Sequence, residues 1–203
     1  MRRRLLLFLA VALAAMVGGA AAAMVSRQLF AEYRPAIEIV SGQKLPDFSL
    51  TDQYGNRFSI SSVRGKVVLL FFGYTHCPDV CPHVLSKYAK LYQALGSNAD
   101  RVVAIFVSVD PERDTPEVLR KHLSYYSPKI VGLTGTPEEV KDVMTLYNIY
   151  AVKHPPDENG NYVIDHYALV LGADKNHVLR TAFTVDAPLE EYVKGVEWLL
   201  SKS

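Results

Sequence analysis

Two stretches of the chain are apolar at successive positions rather than alternate ones: Val67-Val68-Leu69-Leu70-Phe71-Phe72, bounded by Gly65 and Gly73, and Val102-Val103-Ala104-Ile105-Phe106-Val107. Continuous β-branched and aromatic runs of this length read as strands buried on both faces. Between them Leu85, Tyr88, Ala89, Leu91, Tyr92 and Leu95 recur at helical spacing, with Pro82 suited to the first turn and Gly96 to the stop. Strand, helix and strand in that order predict a βαβ unit with a parallel pair. Upstream, Leu45 to Leu50 and Arg57 to Ile60 flank the turn-rich pentad Asp52-Gln53-Tyr54-Gly55-Asn56, a short hairpin. Downstream, Asp114-Thr115-Pro116-Glu117 is a helix start with Thr115 or Asp114 as the cap. Ile130-Val131-Gly132-Leu133 reads as a short strand, and Thr136-Pro137-Glu138-Glu139 as a capping box opening a helix through Tyr147. Past a turn at 154–161, Tyr162 to Leu171 and Val178 to Phe183 predict two antiparallel strands joined through Gly172 to Asn176. A last helix, Leu189 to Leu200, offers Tyr192, Val193, Val196, Leu199 and Leu200 to the core.

The N-terminus follows a different pattern. Met1-Arg2-Arg3-Arg4 precedes an unbroken apolar run from Leu5 to Val25, long enough to cross a bilayer as a helix. The arginines keep that end cytoplasmic and put the remainder outside, so the expected location is the bacterial inner membrane, single-pass, with the soluble domain on the periplasmic side. A signal peptide cleaved near Ala20 to Ala23 is the competing reading. The domain expectation is an anchor over 1–25, a tether over 26–43 and one globular domain over 44–203. With 49% apolar residues, the 203-residue chain can bury one ordinary core. Charge is nearly balanced at +1, and leaving out the three leading arginines makes it 19 basic against 21 acidic side chains. Nucleic-acid binding has no electrostatic footprint here.

The only two cysteines, Cys77 and Cys81, fall where the first buried strand turns into a helix. That junction exposes them at the carboxyl edge of the sheet, and a helix N-terminus favours thiolate. Parallel strands alternating with helices, then a β-hairpin and a closing helix, with paired cysteines after the first central strand, make a thioredoxin-like α/β fold, a central mixed sheet flanked by helices. Three residues separate the cysteines, however, where thioredoxins have two. Residues four apart share one helix face at about 5–6 Å between Cβ atoms. A pair so placed can close a disulfide or grip a metal ion. A purely structural disulfide is the plainer reading of two cysteines in an exported domain, but so short a loop gains little chain entropy from closure.

The string Phe72-Gly73-Tyr74-Thr75-x-Cys77-Pro78-Asp79-x-Cys81-Pro82 resembles the signature of the Sco/SenC copper proteins, and Ser108-Val109-Asp110-Pro111-Glu112-Arg113-Asp114-Thr115-Pro116 resembles their second block. The likeness runs from about Lys44 to the final helix. A histidine following an aspartate at a late strand is the third element of that family, and Asp165-His166 fits it. The resemblance implies copper held by Cys77, Cys81 and His166, for assembly of the binuclear copper centre (CuA) of cytochrome c oxidase. The partners it implies are the copper-bearing subunit II of the oxidase and a periplasmic copper donor.

The chemistry of the residues agrees with that implication. Two soft thiolates suit Cu(I), and an imidazole helps hold Cu(II). A structural zinc site wants a fourth protein ligand, and no third cysteine exists to supply it. Alone, His166 would read as a hydrogen-bonded strand residue; only the thiol pair makes it a ligand. His76, His83 and Asp79 flank the cysteines as secondary candidates, His122, His154 and His177 read as surface or helix-face residues, and the Asp110 to Asp114 cluster as turn and cap. The alternative function is a thiol-disulfide oxidoreductase, with Cys77 and Cys81 as a redox-active dithiol that keeps the oxidase cysteines reduced. A peroxiredoxin-like peroxidase is a third class.

Overall fold

A computed structural model of the chain describes residues 33–202. The apolar run expected to be an anchor, and the first part of the expected tether, lie outside the described residues. Among the described residues no helix is long and apolar enough to cross a membrane.

Among the described residues ten strands and four α-helices follow one another as β1 (Ile37–Glu38), β2 (Ser49–Asp52), β3 (Arg57–Ser59), β4 (Val67–Gly73), α1 (Val80–Leu95), β5 (Val102–Ser108), α2 (Pro116–Ser124), β6 (Val131–Thr134), α3 (Pro137–Leu146), β7 (Ala151–Lys153), β8 (Ile164–His166), β9 (Leu169–Ala173), β10 (Leu179–Thr184) and α4 (Leu189–Ser201). Eight strands form one sheet in the order β1-β10-β9-β4-β5-β6-β2-β3, while β7 and β8 make a separate two-stranded sheet. The pairs β4/β5 and β5/β6 are parallel, and the others in the main sheet are antiparallel. Every residue of β4 and β5 is buried, as their uninterrupted apolar runs require. Helices α1 and α4 pack together, α4 lies against β4, β9 and β10, and α2 lies against β6.

The start signals act as read. Thr115 caps α2 by accepting the Val118 N–H, and Thr136 and Glu139 form a reciprocal capping box on α3. Gly96 ends α1 at a φ of +52°, where a side chain would be strained. Asp174 shapes the β9–β10 turn by accepting the N–H groups of Asn176 and Val178 and pairing with Arg180.

Three features differ from the expectation. Ile37 and Glu38, inside the stretch read as tether, pair with Ala182 and Thr181 of β10; two residues are too short for a hydrophobic period to register. The span Tyr162 to Leu171 is not one strand. Leu169 to Ala173 has the apolar content to enter the main sheet beside β4, whereas Ile164, Asp165 and His166, two of them polar, break away to pair with β7. Finally, His177 is buried rather than on the surface, with a φ of +57° in the β9–β10 turn and Nε2 against the Val63 carbonyl at 3.2 Å.

Candidate metal centre

The centre grows from the end of β4. Central-strand burial brings Gly73 between Phe71 and Phe106, and a Cβ built there would lie 2.6 Å from the Cys81 sulfur and 2.8 Å from Phe106. The glycine is therefore needed for space, and its missing side chain is the niche for Cys81. The chain then turns through Tyr74, whose carbonyl accepts the Cys77 N–H at 3.2 Å, and α1 begins at Val80. Pro82 falls in the first turn, where its missing N–H has no helical acceptor to lose. Cys81 is fully buried and Cys77 is 9% exposed. The sequence put both thiols on an open edge; the structure sets them beneath it.

His166 closes the site from β8. Its Nε2 stands 3.6 Å from Cys81 Sγ, across 85 residues of sequence. Its Nδ1 is 3.3 Å from the Tyr167 carbonyl oxygen. A carbonyl only accepts, so this contact is made by a protonated Nδ1, and it turns Nε2 toward the sulfurs. The ring meets Tyr74 edge-on at 5.7 Å and Phe71 at 6.0 Å. The ligand atoms of Cys77, Cys81 and His166 all lie within 4.8 Å of one another, the one such group of three among the described residues. Metal–sulfur bonds of ~2.3 Å separate donors on a shared ion by roughly 3.5–4 Å. The three fit that separation with small adjustments.

The two thiols differ electrostatically. Donation from the Cys81 S–H holds the Cys77 thiol well below its ordinary range, to about 3; burial opposes this, and His166 and the backbone N–H groups of Asp79 and Cys81 assist. Cys81 is pushed upward, first because it is the donor in that hydrogen bond and then by burial. The reduced pair is thus one thiolate accepting from one thiol, a single charge awaiting a cation.

The secondary candidates do not join. Asp79 and His83 pair with each other on the solvent side of α1, with His83 Nδ1 2.8 Å from the Asp79 carbonyl. His76 bonds to the Thr75 hydroxyl at 3.0 Å, and His154 pairs with Asp165 at 2.7 Å. His122 packs on Tyr126 with a half-buried ring, and burial lowers its pKa. The Asp110 to Asp114 cluster has turn duty, as read, but the cap is Thr115 and not Asp114: fully buried, Asp114 accepts Thr75 N at 3.0 Å, Thr75 Oγ1 at 2.5 Å and Ser108 Oγ at 2.6 Å. Sequence reasoning missed Tyr74 as well, whose hydroxyl accepts the Ile164 N–H at 3.1 Å. Nothing local marks the hold of Asp114 on Thr75 or of Tyr74 on Ile164, because these partners are 39 and 90 residues away.

A parallel β4–α1–β5 unit followed by an antiparallel β9–β10 pair, with a dithiol at the strand-to-helix junction facing an imidazole, defines a thioredoxin-like domain equipped to bind a soft metal. Comparison with known proteins gives the family: the chain belongs to SCO1/SenC, whose family model matches residues 39–201. A SCO2-like protein of Rickettsia conorii is 34% identical over 149 residues, 73% of each chain. The structure of Bradyrhizobium japonicum ScoI with copper bound is 42% identical, covers 78% of this chain and 100% of its own, and has a TM-score of 0.72. Yeast Sco1 with copper bound is 33% identical, covers 78% of this chain and 89% of its own, and has a TM-score of 0.70.

Proposed function

We propose that this protein is a copper carrier for cytochrome c oxidase assembly, binding one copper ion through Cys77 Sγ, Cys81 Sγ and His166 Nε2 and passing it to the copper-bearing subunit II for the CuA centre. The observation that carries the reading is the convergence of two sulfurs and one imidazole nitrogen within 4.8 Å from segments far apart in the chain. Membership of SCO1/SenC and the copper-bound structures of two relatives support it. The thiol pair binds Cu(I) by itself, and the imidazole extends the set to Cu(II). Loading requires reduced sulfurs, so the redox state of the pair gates uptake. In the same proposal the run Leu5 to Val25 anchors the domain on the periplasmic face of a bacterial inner membrane, where a periplasmic donor supplies the metal; the support is the arginine-led apolar sequence.

Replacing His166 by Ala tests the assignment. Cu(II) affinity, read by titration against a competing chelator, falls by about 10–100-fold or more, while exchange of the dithiol with a small disulfide continues. Wild-type Cu(II) affinity in that variant would remove His166 from the site. A second reading, a dithiol reductant of the oxidase cysteines, draws on the Cys77 thiolate. Turnover of a peptide disulfide by the metal-free reduced protein measures it.

A further inference from the structure

The turn between β5 and α2, residues 110–115, has no part in holding copper, yet it reaches both halves of the donor cluster. Asp114 grips the cysteine loop two residues before Cys77, through the backbone and hydroxyl of Thr75. Its neighbour Arg113 grips the segment leading to His166: Nη1 donates to the Tyr162 carbonyl at 3.1 Å, and the guanidinium lies 3.4 Å from the centre of the Tyr162 ring. Asp110 completes the hold, accepting from Arg113 Nε at 2.5 Å and from the Tyr162 hydroxyl at 2.8 Å. The base is fixed in turn. Asp110 N–H donates to Ser108 Oγ at the end of β5, and the N–H groups of Arg113 and Asp114 both donate to the Asp110 carbonyl.

We propose that this turn is a splint that sets the distance between the thiol pair and the imidazole, with Arg113 as the positioning residue for His166 and Asp114 for the cysteine loop. The proposal rests on the copper reading of the site. The β7–β8 pair stands outside the main sheet, so ladder hydrogen bonds to the core do not fix its position. Its other ties include the Tyr74–Ile164 bond, the edge contacts of the His166 ring with Tyr74 and Phe71, and the Lys153–Glu112 ion pair. The last is solvent-exposed on both sides and contributes little. Arg113 and Asp110 are largely sheltered from water, and a planar guanidinium that stacks and donates at once resists both sliding and rotation of the segment. Because the arms leave adjacent residues, a movement of one ligand half relative to the other must bend this turn.

The two arms have separable consequences. Cu(I) is satisfied by the thiols, whereas Cu(II) draws on the imidazole, so loosening the Arg113 arm weakens Cu(II) selectively. Loosening the Asp114 arm disturbs the thiols and weakens both states.

The test uses the full chain, reduced, as wild type, Arg113→Met, Tyr162→Phe and Asp114→Asn. In the metal-free Arg113→Met protein the Ile164 amide exchanges with solvent about tenfold faster or more while the Leu70 amide in β4 is unchanged; Cu(II) affinity falls about tenfold and Cu(I) affinity stays. Tyr162→Phe, which removes only the hydroxyl donated to Asp110, shows the same selectivity at smaller amplitude. Asp114→Asn weakens Cu(I) and Cu(II) together. Unchanged Ile164 exchange in both Arg113→Met and Tyr162→Phe, equal loss of the two copper states in Arg113→Met, or acceleration of Leu70 to match Ile164 would each overturn the splint. Should the wild-type chain take up no copper, the copper reading falls, and Ile164 exchange alone then decides whether Arg113 holds the hairpin.

Discussion

Charge and space at single residues decide what the centre can do. Cys77 is anionic because Cys81 donates to it, so the neighbour's proton, more than the helix N-terminus invoked from sequence, makes the thiolate. The expected titration follows from the sign of that shift. Ultraviolet thiolate absorbance of the reduced, metal-free protein corresponds to one thiolate from about pH 5 to about pH 8, and is lost as pH falls toward about 3. In Cys81→Ala the donor is gone, Cys77 moves back up toward the ordinary thiol range, and the absorbance appears only as pH rises toward about 8.5. Gly73 is the steric counterpart. A methyl group there meets Cys81 Sγ at 2.6 Å inside a strand whose neighbours hold it in register. Gly73→Ala is expected to cost about 1–3 kcal/mol in a denaturant melt and to weaken both copper states, since the displaced atom is a ligand.

At the level of elements, the parts read from the sequence are those whose signal is local. The buried strands β4 and β5 announce themselves by continuous apolar runs, α2 and α3 by Thr-Pro starts, and α1 by its glycine stop. Strands β1 and β7 carry no such signal, with two and three residues respectively. The division of 162–171 was hidden for another reason. An apolar strand beside β4 and a polar strand bearing His166 follow each other without a glycine or proline between them, and only the pairing partner separates them. Elements remote from the centre should be separable from it in experiment. Thr136→Ala removes the α3 capping box and is expected to lower stability by about 0.5–2 kcal/mol, with copper affinity unchanged in the same preparation.

Across the whole molecule, the three donors were legible as residue types, while their mutual geometry was not. Cys77 and Cys81 are near neighbours in any conformation, so their pairing needs no fold; the position of His166 depends on β8, on Tyr74 and on the turn at Asp110, all long-range contacts. Metal binding is therefore coupled unequally to folding. The unfolded chain keeps a two-sulfur site, and the folded chain adds the imidazole, so Cu(II) is expected to raise the melting temperature more than Cu(I) at matched saturation. Calorimetry on wild type and His166→Ala checks this: the difference between the two copper states vanishes in the variant.

Cys81 is the inner sulfur of the site, buried against Gly73 of the strand, while Cys77 and the partly exposed ring of His166 form its rim. Any incoming protein must arrive from the rim side. Its own ligand atoms displace the imidazole or the outer sulfur first, and the inner sulfur is the last to let go. A partner thiol meeting the oxidised pair likewise finds only the outer sulfur within reach of in-line attack. The depth of one side chain thus imposes an itinerary on the cargo.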